Sequence, residues 1–144
     1  MEWVLDCSLA LAWGLPDETS KEADRFLGQF SQNGVLWVPA LWWYEVSNAL
    51  MVAQRRQRLS EADRIRLIEL YGMLPIQIDA DLSLDIVWRF HTLAQQYTLS
   101  VYDAAYLELA LRKGVGLATL DRHLIKAARK ASVKVIEGGF GVRP

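Results

Sequence analysis

The chain has 144 residues, of which 52% are hydrophobic, and this predicts a single globular domain over residues 1–144 and excludes a disordered chain. Its net charge of −1 is not that of a generic nucleic-acid binder, which would carry a clear basic excess. No apolar run reaches the roughly 18 residues of a membrane span, and no secretory signal opens the chain. The lone Cys7 fits a reducing interior, so we expect a cytoplasmic protein without membrane contact.

Short apolar runs alternate with longer amphipathic segments, which is the pattern of an α/β domain with a mostly parallel, five-stranded sheet. In chain order the predicted elements are a strand near 2–6, helices near 8–13 and 20–31, a strand near 35–38, helices near 41–57 and 61–73, a strand near 76–78, helices near 82–96 and 101–113, a strand near 116–119, a helix near 122–131 and a strand near 133–136. Thr19, Ser60 and Ser100 each precede an acid by three residues, the spacing of a helix-capping box.

Four acidic residues stand in apolar surroundings. Asp6 and Asp121 end two strand-like runs, Asp103 opens an apolar helix-like run, and Glu45 lies inside another. Carboxylates avoid apolar surroundings unless something compensates their charge. Because the carboxyl ends of parallel strands meet at one edge of a sheet, we expect these side chains to converge there.

Each acid also has a structural interpretation. Asp6 and Asp121 could cap the helices that follow them, and Asp103 fits the third helical position of a capping box. Glu45 lies well inside its helix, where it needs a partner, either a hydrogen bond from Asn48 one turn on or a buried ion pair with an arginine.

Taken together, the acids predict a cation. Two unit charges ~4 Å apart repel by about 4 kcal/mol at an effective dielectric of 20, and a cluster of four exceeds what a marginally stable domain absorbs readily. Protonation or a bound cation must relieve that repulsion. Carboxylate oxygens are hard ligands that suit Mg²⁺ or Mn²⁺, and a divalent cation suggests phosphate chemistry.

Two hydroxyls and one thiol lie beside the acids in sequence. Ser8 follows Asp6 by two residues and Thr119 precedes Asp121 by two, so both could orient a carboxylate or a metal-bound water. Capping and strand packing are the alternative roles of these hydroxyls. Cys7 is predicted to point away from Asp6 as a small core residue.

Aromatic and basic side chains provide candidate contacts to a nucleic acid. Trp42, Trp43 and Tyr44 could stack on bases, although at least one of them is expected in the core. Basic residues form two clusters, one of Arg55, Arg56 and Arg58 and the other of Arg122, Lys126, Arg129 and Lys130. They are either solvated helix faces or phosphate-binding rims around an acidic site.

At this point the residues match a known pattern. Residues 4–13, 38–39 with 45–50, 102–107 and 117–121 resemble, in order, the four acidic motifs of PIN-domain proteins, especially the VapC-type toxins of bacterial toxin–antitoxin pairs. The resemblance extends from residue 4 to residue 136, and an acid occupies each acidic position.

The resemblance implies a three-layer α/β/α sandwich and an Mg²⁺- or Mn²⁺-dependent ribonuclease whose four acids line one pocket. It also implies a homodimer, a VapB-type antitoxin that occludes the site, and a structured substrate such as tRNA or ribosomal RNA. Under this hypothesis Asp6, Asp103 and Asp121 hold the cation, while Glu45 completes the cluster as an outer-sphere ligand or as the base.

Three other functions stay open at the level of sequence. The chain could be a PIN-like RNA-processing nuclease that is not a toxin. It could be a metal phosphatase or a DNA-directed nuclease with the same acidic cluster. It could also be a non-catalytic RNA-binding or interaction module in which the acids are only helix caps.

Overall fold

The computed structural model describes residues 1–18, 20–30 and 33–136. In chain order its elements are β1 (Glu2–Leu5), α1 (Cys7–Gly14), α2 (Lys21–Gly28), β2 (Val35–Pro39), α3 (Leu41–Arg55), α4 (Glu61–Met73), β3 (Ile76–Asp79), α5 (Leu84–Tyr97), α6 (Val101–Lys113), β4 (Gly116–Ala118) and α7 (Arg122–Lys130). Over those same ranges, no helix is long and apolar enough to cross a membrane.

The strands form one parallel sheet in the order β3-β2-β1-β4. β1 is central, since Val4 pairs with Trp37 of β2 on one side and with Leu117 of β4 on the other. Successive strands are added outward through β2 and β3, and β4 is then added on the opposite side of β1. Ligands of open α/β sheets bind where strand order reverses in this way, outside the carboxyl ends of the strands.

Both faces of the sheet are buried. Val4 and Leu5 are adjacent in β1 and therefore point to opposite faces, yet both are fully buried. The same holds for Leu117 and Ala118 of β4. Helices cover a parallel sheet on both faces when its strands are continuous apolar runs, and this confirms the predicted α/β class with its three layers.

The prediction of a fifth strand near 133–136 is wrong. This segment contributes one isolated parallel bridge, Leu117 to Val135, in which the Leu117 N–H donates to the carbonyl of Lys134 at 2.8 Å. Two features limit the pairing: β4 has three residues, and Ser132 turns the chain with a φ of 60° just before the segment. In the described part of the chain the sheet therefore has four strands.

The helices follow the predicted positions closely. α4 and α6 begin and end where the sequence predicts, and Ser60 and Ser100 cap them by accepting N–H bonds from Asp63 and Asp103, each at 3.0 Å. The other helices except α2 begin and end within two residues of their predicted bounds.

The second helix starts and stops differently from the prediction. Thr19, the predicted cap, lies outside the described residues, and the Ser20 hydroxyl accepts the N–H of Ala23 at 3.1 Å instead. α2 ends at Gly28, before the predicted 31, which also lies outside the described residues.

A buried tyrosine joins α4 to α1. Tyr71 is fully buried, and its hydroxyl donates to the carbonyl of Ala10 at 2.8 Å. Its ring meets that of Trp42 edge-on, with centroids 5.9 Å apart. Trp42 is therefore the core residue expected among the three consecutive aromatics.

Candidate functional site

Asp6 leaves the end of β1 with its carboxylate held by two hydroxyls. Its backbone N–H donates to the carbonyl of Ala118 at 2.9 Å, which extends the pairing of β1 with β4 by one residue. Its Oδ2 accepts hydrogen bonds from Ser8 at 2.6 Å and from Thr119 at 2.7 Å. Although Asp6 occupies the N-cap position of α1, its side chain makes no capping bond. The capping interpretation of Asp6 is therefore wrong.

The same two hydroxyls also fix the loop that leaves β4. The Ser8 Oγ accepts the N–H of Leu120 at 3.0 Å, and the Thr119 Oγ1 accepts the N–H of Asp121 at 3.0 Å. The two hydroxyl oxygens lie 3.3 Å apart. Ser8 and Thr119 thus join the exits of the two strands, as the predicted orienting role requires.

Asp121 both caps a helix and lies among the acids. Its Oδ1 accepts the N–H of Leu124 at 2.9 Å, so the capping interpretation is correct for this residue. Its charge also acts on Asp6 and Asp103, because it contributes to the raised pKa values of these two residues. One carboxylate can serve both purposes, since the cap engages only one oxygen.

Asp103 lies in the first turn of α6 and is half-buried. Burial raises the pKa of its carboxyl group, and the charges of Asp121 and Asp6 raise it further. The hydrogen bond with Ser100 and the nearby His123 oppose this rise in pKa. The capping box and the acidic cluster therefore coexist at this residue.

Glu45 is held by a residue that local sequence patterns did not predict. The hydroxyl of Tyr106 on α6 donates to the Oε1 of Glu45 on α3 at 2.5 Å. Asn48, the predicted partner, is exposed and makes no hydrogen bond to Glu45 within the described residues. Burial raises the pKa of Glu45, and the charges of Asp6 and Asp103 add to that rise.

One signal for Tyr106 was present in the sequence. It follows Asp103 by three residues in a helix, so the two side chains share a face of α6. Sequence alone does not tell which helix that face meets.

With this geometry in place, comparison with known proteins identifies the fold family. The family model for the PIN domain matches residues 3–130. The chain belongs to the PIN-domain family. It is 34% identical to Ribonuclease VapC3 of Pyrobaculum aerophilum over 128 residues, which are 86% of this chain and 92% of that protein.

Solved structures share the architecture of this PIN domain. PAE2754 from Pyrobaculum aerophilum superposes with a TM-score of 0.67 at 26% identity, over 95% of this chain and 85% of that one. VapBC2 from Rickettsia felis, bound to a DNA fragment from their promoter, gives a TM-score of 0.67 at 11% identity, over 94% of this chain and 97% of that one. At 11% identity the second likeness concerns the fold alone.

The four acids of this PIN domain interact electrostatically with one another. Burial raises the pKa of Asp6 first and Asp121 adds to the rise, while the hydroxyls of Ser8 and Thr119 oppose it. Together with the shifts at Glu45 and Asp103, this indicates one negatively charged cleft formed by four separate chain segments.

The donor set fits a hard divalent cation, since all four candidate ligands are carboxylates whose pKa shifts include mutual repulsion. Across residues 1–18, 20–30 and 33–136, however, no group of three or more His, Cys, Asp or Glu side chains lies in positions that could hold a metal ion. The two observations are compatible because charges act over longer distances than coordination bonds. Hydrogen bonds to Asp6, Glu45 and Asp121 also occupy one oxygen of each.

Cys7 does not belong to the chemistry of the cleft. Its free thiol is half-buried and packs against the core, as predicted. Burial raises the pKa of this thiol far above its usual range, and the charge of Asp6 adds to the rise. A thiol that stays protonated is a poor nucleophile and a poor metal ligand.

The aromatic and basic residues divide between core and surface. Trp42 is buried, Trp43 is half-buried, and Tyr44 is 80% exposed. In the first basic cluster Arg55 and Arg56 are exposed, whereas Arg58 pairs with Asp17 at 2.6 Å and with Glu18 at 3.1 Å. In the second, Arg122, Lys126 and Lys130 are exposed, and Arg129 is half-buried.

A separate cavity of about 630 Å³ lies between β1, α2 and the segment after α7. Its lining combines apolar side chains such as Trp3, Phe26 and Val133 with polar and charged ones such as Arg129, and none of the four acids lines it. Asp6 and Asp121 follow the ends of β1 and β4, while Glu45 and Asp103 lie on α3 and α6, so the four acids are separate from this cavity. We therefore place the candidate site at the acidic cleft.

Proposed function

We propose that the protein is a Mg²⁺- or Mn²⁺-dependent endoribonuclease, the toxin of a VapBC-type toxin–antitoxin pair. The observation that supports this proposal is the mutual electrostatic influence of Asp6, Glu45, Asp103 and Asp121, which come from four separate segments of the chain. The 34% identity to a protein named Ribonuclease VapC3 supports the choice of RNA. The substrate class proposed is structured RNA, tRNA or ribosomal RNA.

Asp6, Asp103 and Asp121 would hold the cation directly or through water, and Glu45 would complete the set. A bound divalent cation supplies a nucleophile at neutral pH and neutralises charge that develops on the phosphate. Glu45 accepts a proton from the attacking water. Burial and the neighbouring acids raise the pKa of Glu45 above its ordinary value, a direction that suits a general base.

Ser8 and Thr119 act by orienting a ligand. Both donate to the Oδ2 of Asp6, so the direction of that carboxylate is fixed. Because each hydroxyl also accepts a backbone N–H after β4, their rotamers are fixed in turn. Such support of a ligand by neighbouring groups is common at metal sites, where its loss typically lowers metal affinity about 10–100-fold.

Exposed groups on the surface would bind the RNA. Arg55, Arg56, Arg122 and Lys126 are exposed and can contact phosphates. Tyr44, next to Glu45 in α3, exposes most of its ring and can stack on a base. This arrangement makes affinity depend on salt although the net charge is only −1.

The partners proposed are a second copy of the chain and a VapB-type antitoxin that covers the acidic cleft. The 34% identity to a protein named Ribonuclease VapC3 supports an antitoxin partner of the VapB type. α5 supports a dimer, because only Ile86 of its residues is buried while Leu84 and Trp88, one turn apart, are 68% and 62% exposed. Co-purification with the product of a small open reading frame directly upstream tests the antitoxin.

Cleavage of total RNA by the purified protein tests the activity. With Mn²⁺ we expect discrete fragments from the wild type and none from Asp103→Asn. Asp24→Asn is the matched control, since Asp24 is exposed on α2 and the change in charge is identical. Cleavage by Asp103→Asn at the wild-type rate would exclude the proposed site, and cleavage of DNA in preference to RNA would exclude the proposed substrate.

A further inference from the structure

One hydrogen bond joins the two helices that carry Glu45 and Asp103. Tyr106 is 1% exposed on α6, and its hydroxyl donates to the Oε1 of Glu45, which lies half-buried on α3. A buried tyrosine hydroxyl requires a partner, because leaving it unsatisfied away from water is unfavourable. Here the described partner is a carboxylate of the acidic cleft.

The bond restricts Glu45 more than it restricts Tyr106. The tyrosine ring is packed in the core and has few accessible rotamers, whereas a half-exposed glutamate has three side-chain torsions. Engaging Oε1 with a fixed donor therefore selects one orientation of the carboxylate and leaves Oε2 for another ligand. Since Asp103 lies one turn before Tyr106 on α6, this helix sets the positions of both acids.

We propose that Tyr106 is a positioning residue, which holds the Glu45 carboxylate where it can join Asp6, Asp103 and Asp121 around a divalent cation. This role rests on the metal-dependent function proposed above and adds to it a residue outside the four acids. The competing possibility is that Tyr106 only fills the core, in which case its hydroxyl affects stability and nothing else.

The substitution Tyr106→Phe tests this role, with Tyr71→Phe as its matched control. Each removes one hydroxyl from a buried tyrosine, but the hydrogen bond described for the Tyr71 hydroxyl goes to the backbone carbonyl of Ala10 and not to a carboxylate. Two readouts are measured against Mn²⁺ concentration: the rise in thermal unfolding temperature, and RNA cleavage. We expect Tyr106→Phe to need about tenfold more Mn²⁺ for the same rise in unfolding temperature and for half-maximal cleavage. Tyr71→Phe should lower the unfolding temperature and leave that Mn²⁺ concentration unchanged.

A double mutant identifies the residue through which Tyr106 acts. In a Glu45→Ala background, removing the Tyr106 hydroxyl should change the required Mn²⁺ concentration no further, since its acceptor is absent. An undiminished tenfold effect in that background would overturn the positioning role. If Tyr106→Phe does not fold, 4-fluorophenylalanine in place of Tyr106 fills most of the hydroxyl volume without donating a hydrogen bond.

The outcomes distinguish a failure of the positioning role of Tyr106 from a failure of the proposed metal-dependent function. A wild type that neither gains stability with Mn²⁺ nor cleaves RNA overturns the proposed function, and the positioning role with it. If the wild type responds and Tyr106→Phe responds at the same Mn²⁺ concentration, only the positioning role is overturned. A tenfold shift in Tyr106→Phe that is absent from Tyr71→Phe supports it.

Discussion

The hydroxyl of Thr119 donates a hydrogen bond to the Oδ2 of Asp6 at 2.7 Å, although the two residues are 113 positions apart in the sequence. The bond closes the gap between the ends of β1 and β4, the place where strand order reverses. Thr119 is fully buried and also accepts the N–H of Asp121, so one hydroxyl supports two of the four acids. The position of the acidic cleft thus depends on a small number of hydrogen bonds at the strand ends.

Thr119→Val is expected to weaken both stability and activity. Valine keeps the volume of the side chain but leaves the Asp121 N–H without its acceptor, which costs about 1–3 kcal/mol of unfolding free energy when the group is buried. Cleavage should fall about 10–100-fold, since Asp6 loses one of its orienting donors. Urea unfolding and RNA cleavage measure the two effects. A variant with full activity despite the expected loss of stability would contradict the orienting role of Thr119.

The metal-free protein is expected to lose stability as pH rises above about 4, the usual pKa of Asp and Glu. Burial and mutual repulsion raise the pKa values of Asp6, Glu45 and Asp103 in the folded state. In that pH range the folded protein retains protons that the unfolded chain has released, so the free energy of unfolding decreases with pH.

Urea unfolding in EDTA at several pH values, for the wild type and for Asp6→Asn, measures this effect. The wild type should lose more stability than the variant as pH rises, because the amide that replaces the Asp6 carboxyl group does not titrate. Saturating Mn²⁺ should reverse the trend, since the cation binds deprotonated carboxylates. Parallel pH profiles in EDTA for the two proteins would count against a repulsive cluster.

Two arginines of one cluster are expected to behave differently. Arg56 is exposed, so Arg56→Ala should weaken RNA binding and lower the slope of log affinity against log salt by about 1 for each phosphate that Arg56 neutralises. Arg58 is already engaged by Asp17 and Glu18, so Arg58→Ala should leave that slope unchanged. Binding of RNA at several salt concentrations, with both substitutions made in the inactive Asp103→Asn protein, measures the two slopes. Equal slopes for the two variants would refute the assignment of Arg56 to RNA.

The exposed apolar side of α5 is expected to be the dimer surface. Trp88→Glu places a charge in the middle of this surface and should convert a dimer to a monomer without unfolding the chain, because Trp88 is 62% exposed. Light scattering coupled to size-exclusion chromatography gives the molar mass. Tyr44→Glu is the control, since Tyr44 is exposed on α3. A monomeric wild type, or a variant that stays dimeric, would contradict the proposal.

Local chemistry made much of this molecule predictable. Ser60 and Ser100 cap helices whose lengths match their amphipathic patterns. The positions of the acids after β1 and β4 follow from the rule that ligands bind at the carboxyl ends of parallel strands. The prediction of a fifth strand was wrong because an apolar run does not specify how many residues of the neighbouring strand are available for pairing. β4 offers three residues, and the turn at Ser132 comes directly before the segment.

Long-range packing determined what the sequence did not predict. Helical spacing correctly predicts that Asn48 is a neighbour of Glu45 on α3. It does not indicate which face of this helix is packed against the rest of the protein. Asn48 faces solvent, and the donor comes from Tyr106, which is 61 residues away in sequence. The choice of donor depends on where α6 lies against α3, and no local pattern carries that information.

Calorimetric titration of the purified protein with Mn²⁺, beside Asp6→Asn and Asp24→Asn, tests the metal site most directly. We predict saturable binding to the wild type and to Asp24→Asn, and binding about 10–100-fold weaker to Asp6→Asn. A wild type that takes up no Mn²⁺, or an Asp6→Asn protein that binds it equally well, would contradict the account.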